Sequence, residues 1–171
     1  AKSIGAKTIK RPFELVKDNS SSESGWIHSA KFIDNKKINF ENIVALQATS
    51  PIRSSEDLDK AIKFYVKKKY DSLFSGTEVR DHNIWHYSKN ETLKANYNFK
   101  KRNPRQLIKP KYIENGSFYI FNKKKFYKEN CRLFGKIGMF EINKFKSLQV
   151  DDYYDVDLVN ALYKLKKNSK F

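Results

Sequence analysis

The 171-residue chain is defined first by what is scarce in it. A single cysteine, Cys131, excludes an internal disulfide framework and fits a reducing, cytoplasmic compartment. Four prolines and six glycines exclude collagen-like and linker-like compositions. No apolar run approaches the roughly 18–20 residues of a membrane-spanning helix, so no membrane partner is expected. The N-terminus carries no apolar signal-like core. Arginine is sparse, six residues against 29 lysines. Nucleic-acid readers lean on arginine for bidentate contacts to phosphate and guanine. The formal charge of +16 therefore reads mainly as lysine on solvated faces, beside the Asn, Ile, Phe and Tyr bias of an AT-rich genome. A basic nucleic-acid-binding module stays open as the alternative function. No Gly-rich phosphate loop occurs, and residue 1 is Ala rather than Met, as in a chain that starts inside a longer protein.

What is present is a strand–helix alternation. Ala6–Ile9 reads as a short strand. Trp26, Ile27, Ala30 and Ile33 recur at helical spacing. Ile43–Leu46 is a compact apolar run, the mark of a strand covered on both faces. Leu58, Ala61, Ile62, Tyr65 and Val66 line one helix face, with Ser54 and Asp57 spaced as a capping box. Ser72–Val79 reads as a strand. Arg80–Lys111 is polar, aromatic and basic without a long period, and is too long for a simple connection. Order returns at Tyr112–Phe121, interrupted by Asn115-Gly116, then a short helix near Lys123–Asn130 and a strand at Met139–Ile142. The last helix places Leu158, Ala161, Leu162 and Leu165 on one stripe behind acidic Asp151, Asp152, Asp155 and Asp157. The alternation predicts an α/β fold with a mostly parallel sheet.

Two stretches carry the chemistry of a site. Gln47–Arg53 follows the apolar strand, where ligands of open α/β sheets bind. The same residues also read as a helix-entry loop. In Gln149-Val150-Asp151-Asp152, Asp151 is the best placed metal ligand, since a carboxylate after a strand can hold a Mg²⁺ that also touches substrate phosphates. His82 and His86 have a zinc-like spacing only if helical, and no third ligand accompanies them. No nucleophile–base signature is present.

In order along the chain, Leu46-Gln47-Ala48-Thr49-Ser50-Pro51-Ile52-Arg53, Asp71-Ser72 with Glu78-Val79, His82-Asn83 and Trp85, Arg105-Gln106, and Tyr112–Ile120 with its Asn115-Gly116 resemble the motifs of the acylneuraminate cytidylyltransferases. The resemblance implies a three-layer Rossmann-like nucleotide-transferase fold that here lacks its first strand–loop–helix unit. It implies one domain over 1–171, with a dimerisation arm at about 80–111 and a homodimeric state. The implied reaction moves CMP from CTP to a nonulosonic acid, with Mg²⁺ and release of pyrophosphate. By motif, Gln47 would contact the sugar acid and Asn115 would position ligand at the cleft. Arg105 would bind a carboxylate, reaching the partner subunit's site, and Asp151 would hold the metal. Arg53 and Thr49 would shape the loop. The family's D-x-D is Gln149-x-Asp151 here, which weakens a two-carboxylate metal site. The family's R-G-G-S-K-like loop is absent, so these 171 residues alone are expected to be inactive. A non-catalytic dimerising remnant is the remaining alternative.

Overall fold

The computed structural model describes residues 2–79 and 83–168, with the side chains of 105 and 166–168 outside the description. After short 3-10 turns at Lys2–Ile4 and Phe13–Leu15, the elements are α1 (Ser22–Asn35), β1 (Asn42–Leu46), α2 (Ser55–Lys68) and β2 (Ser72–Val79). They continue with β3 (Trp85–Tyr87), β4 (Leu93–Ala95), β5 (Lys111–Asn122), α3 (Lys123–Glu129), β6 (Ile137–Glu141) and α4 (Tyr153–Asn168). One sheet has the order β1-β5-β2-β6, and β3-β4 form a separate hairpin. β1, β2 and β6 run in one direction. β5 runs against β1 and β2 and lies between them, so the sheet is mixed.

Helices cover both faces of the sheet. On one face Ala61 and Tyr65 of α2 pack on Leu73, Phe118, Ile120 and Ile142. On the other, Trp26 and Ile27 of α1 and Phe126 of α3 pack on Ala45, Tyr119 and Phe121. Alternation along β5 produces this division, because Phe118 and Ile120 point one way and Tyr119 and Phe121 the other. The three-layer α/β arrangement is the one expected of a Rossmann-like nucleotide-transferase fold.

Local chemistry sets the helix ends. Ser21 accepts from the Ser24 amide at the start of α1. Ser54 and Asp57 form the expected capping box at the start of α2, each side chain accepting the other's backbone N–H. Lys146 Nζ lies 2.7 Å from Asp57, so the cap is also an ion pair to the segment after β6.

Three expectations fail for one reason, the lack of a covering neighbour among the described residues. Ala6–Ile9 forms no strand, and just after it the Lys10 carbonyl lies 3.3 Å from His28 Nε2. β1 is an edge strand rather than one covered on both faces. Ile43 and Ala45 pack toward α1, while Val44 and Leu46 stay exposed. Beside this edge an open groove of about 460 Å³ is lined by Trp26, Ala30, Ile33, Phe40 and Val44. In α4 the inward residue is Val159, 7% exposed, and Tyr163 donates to the Pro51 carbonyl, so Leu158 and Leu165 of the expected stripe face outward.

A polar network pins α1 to the loop after α3. The Arg132 guanidinium donates to both Glu23 carboxylate oxygens at 2.5 and 3.0 Å. It also lies 4.9 Å from the ring centroids of Trp26 and Tyr119, and Tyr119 in turn donates to Glu114. The hydrogen bond from Arg132 holds the Glu23 carboxyl below the usual carboxylate range, against the opposing effect of burial. A depressed folded-state pKa contributes stability that is present above the unfolded value of about 4.3 and is lost as pH falls through the folded value. Glu23→Gln is therefore expected to lower the urea midpoint most at pH 7, with the gap to the parent chain shrinking toward pH 3. A gap independent of pH would contradict this account.

Candidate active site

The site is built on an irregularity in β5. Opposite β2 the register passes from Phe74↔Tyr119 to Gly76↔Glu114, so four residues of β5 face the single residue Ser75. The surplus is Asn115-Gly116-Ser117, which bulges from the ladder. Buried hydrogen bonds hold the bulge. Ser75 Oγ donates to Asn115 Oδ1 at 2.6 Å and accepts from the Phe118 amide at 3.0 Å. Asn115 Oδ1 also accepts from the Ser117 amide. Asn115 Nδ2 donates to Ser147 Oγ, and Ser50 Oγ donates to the Asn115 carbonyl. Asn115 is 3% exposed, and its amide is committed to this knot. Its part in the site is to fix the turn at Gly116. The Asn115-Gly116 interruption in the sequence is thus a bulge inside a 12-residue strand, not a break between two strands.

Gly116 has φ +64°, a left-handed conformation that costs an L-residue. A Cβ at this position would lie 2.4 Å from Gln47 Oε1 and 2.9 Å from Gln149 Nε2. Both distances are shorter than real Cβ contacts, so a side chain here would displace the two glutamine ends, while the positive φ is what favours glycine. Gln47 stands at the head of the loop after β1. The Arg53 guanidinium donates to the carbonyls of Gln47 and Ser50 and folds that loop back on itself. Burial lowers the Arg53 pKa from its ordinary value, and the two carbonyls accept the N–H bonds that water would otherwise accept. Arg53 therefore shapes the loop, as expected. Thr49 joins the loop to the Gln149 segment, its carbonyl accepting from the Val150 amide at 2.7 Å.

The structure thus brings Gln47, Asn115 and Gln149 together around Gly116, and the Val150 amide ties the Gln149 segment to the loop. The residues just before Asp151 form no strand, contrary to the expectation that it follows one, and the Val150 amide bonds to a loop instead of a ladder. Asp151 is exposed, with its amide accepted by Asp155 Oδ2, and Asp152 Oδ1 accepts from the amides of Tyr154 and Asp155. Asp152 and Asp155 are therefore committed to starting α4. Among the described residues no cluster of three His, Cys, Asp or Glu side chains could hold a metal. A Mg²⁺ there would rest on the Asp151 carboxylate with substrate phosphates and water, a donor set this small, strongly hydrated ion accepts. Arg105 begins a 3-10 turn at Arg105–Leu107, and its side chain lies outside the described residues. So does His82, while His86 is in strand β3 rather than a helix.

Sequence reasoning missed Ser75 and Ser147. A serine in a strand and a serine in a basic loop carry no signal of a partner 40 or 32 residues away.

No protein-family model matches the chain. It is 30% identical over 171 residues to the post-translational flagellin modification protein B of Campylobacter coli, covering 95% of this chain and 70% of that protein. It is 29% identical over 177 residues to the N-acylneuraminate cytidylyltransferase of an Escherichia coli O18:K1:H7 strain, covering 99% of this chain. With N-acylneuraminate cytidylyltransferase A of Danio rerio it shares 32% identity over 158 residues. The chain belongs to the acylneuraminate cytidylyltransferase family. It spans 40% of the length of the Escherichia coli relative and 35% of the Danio rerio one. The Gly116 bulge and Gln47 lie within the stretches that carried the family resemblance in the sequence, whereas Gln149 stands where this chain departs from the family's D-x-D.

Gly116→Ala tests the geometry. The left-handed backbone alone should cost about 1–2 kcal/mol, and the methyl should drive the two glutamines apart. Chemical denaturation should show the loss, whereas Gly5→Ala, also at positive φ but with open space at its Cβ, should show only the backbone part.

Proposed function

We propose that the protein containing this chain transfers CMP from CTP to a nonulosonic acid. The anomeric hydroxyl oxygen of the sugar acid bonds to the α-phosphorus of CTP, the bond to the pyrophosphate leaving group breaks, and the hydroxyl proton is released. The observation that carries this reading is the convergence of Gln47 and the segment bearing Asp151 on the Gly116 bulge, in a chain of this family. Gln47 offers an amide to the sugar acid. Asn115 holds the bulge that positions the ligand. Asp151 is the protein's contact to Mg²⁺, which when bound offsets phosphate charge. Arg105 is a carboxylate-binding residue. The excess of lysine suits two anionic substrates. No Gly-rich phosphate loop is found within the 171 residues, so they supply the sugar-acid side of the site and are inactive by themselves.

The protein works as a homodimer joined through the arm at 80–111. In support, β3 and β4 pair only with each other in the described sheets, and the arm exposes Tyr87, Leu93, Phe99 and Leu107.

The native gene product should release pyrophosphate and form a CMP-sugar with one member of a panel of eight- and nine-carbon keto acids. The 171-residue chain alone should not exceed a no-enzyme control. Gln47→Ala should raise KM for the sugar acid about tenfold, with KM for CTP within twofold of the parent. Robust turnover by the isolated chain would overturn the division of labour, and an inactive native product the reading itself. Sedimentation should show a dimer, with Tyr87→Glu and Leu93→Glu together giving a monomer. An unchanged dimer would exclude the arm as the interface.

A further inference from the structure

We infer that Gln149 contacts substrate, and that it forms with Gln47 a neutral amide pair over Gly116 that takes a hydroxyl or acylamido group of the sugar acid. This rests on the sugar-acid reading above, and it assigns to substrate a residue that, at the first position of the family's D-x-D, would otherwise be sought at the metal.

The two side chains come from different segments and end at one place, each within 3 Å of the point where a Gly116 Cβ would stand. Their backbones are pinned. Arg53 and Ser117 hold Gln47 through its carbonyl and its amide. The bond from the Val150 amide to the Thr49 carbonyl holds the segment of Gln149, and Ser147 Oγ, two residues before it, accepts from Asn115 Nδ2. The side-chain amides face solvent, and among the described residues neither donates to nor accepts from a protein group. Two half-buried glutamines with fixed backbones and unspent amides form a recognition surface.

The chemistry selects the ligand. Each amide presents one acceptor and two donors without charge, and exchanging O and N in either leaves both kinds of group facing the site. Magnesium prefers carboxylate, phosphate and water oxygens, and phosphate calls for charged or backbone donors. A hydroxyl or a secondary amide, each both donor and acceptor, matches a pair of neutral amides. Sugar acids that differ by such a group at this contact are thereby told apart, because an analogue lacking it leaves the amides unpaired.

The test uses the native gene product and calorimetry, with binding of sugar acid and of CTP·Mg²⁺ measured separately. The probes are an N-acylated nine-carbon keto acid, its deaminated hydroxyl analogue and CTP·Mg²⁺. Gln149→Ala should weaken the preferred sugar acid about tenfold, the value of one lost hydrogen bond of about 1.4 kcal/mol. It should also narrow the preference between the two sugar acids and leave CTP·Mg²⁺ affinity within twofold. Gln149→Met, which keeps the length and removes both polar groups, should do the same and serves if the alanine variant folds poorly. Unchanged sugar-acid binding, or a loss confined to CTP·Mg²⁺, would overturn the inference while leaving the proposed function in place. A parent protein that binds neither sugar acid nor CTP would instead overturn the function, and the inference with it.

Discussion

The buried bond between Ser75 and Asn115 is the constraint on which the site depends. Without Ser75 the bulge would leave the buried amide of Phe118 unpaired, at a cost of about 1–3 kcal/mol, and Asn115 Oδ1 with the Ser117 amide as its remaining donor. One serine hydroxyl, 2.6 Å from Asn115 Oδ1 and 3.0 Å from the Phe118 amide, serves both groups. The bulge then persists, Gly116 takes its left-handed turn, and a backbone position with no side chain opens opposite two loops.

The same knot couples the site to the core. Phe118, the next residue but one after Gly116, is fully buried between β2 and α2, and Tyr119 beside it carries the Arg132 and Glu114 contacts of the other face. A strand that bulged differently would turn Phe118 to the wrong face, since one step along a strand reverses every side chain. Core packing and site geometry therefore select the same register, and neither can shift without the other.

The two halves of the site differ in how they are held. The loop after β1 is folded by its own residue, Arg53, which closes on carbonyls three and six positions back. The Gln149 segment is closed locally only on either side, at Ser147 and Asp151, and is tied to the site by the Val150 amide donating to the Thr49 carbonyl and by Asn115 donating to Ser147. Of the two amides facing Gly116, the one at 47 is placed locally and the one at 149 only by its neighbours.

The sequence by itself determined the elements with strong periodicity or caps. α1, α2 with its Ser54–Asp57 box, β2 and α3 lie where spacing put them, because those signals act over a few residues. It also marked Gln47, Asn115 and Asp151, on motif order. Only the tertiary structure decided which apolar faces are covered. It left β1 at an edge and turned α4 on Val159, because burial depends on neighbours that spacing does not encode. It also brought Ser75 onto Asn115, and Gln149 beside Gln47 at Gly116. Ser75 meets Asn115 across 40 positions of chain, and a contact of that length is set by strand pairing, not by local pattern.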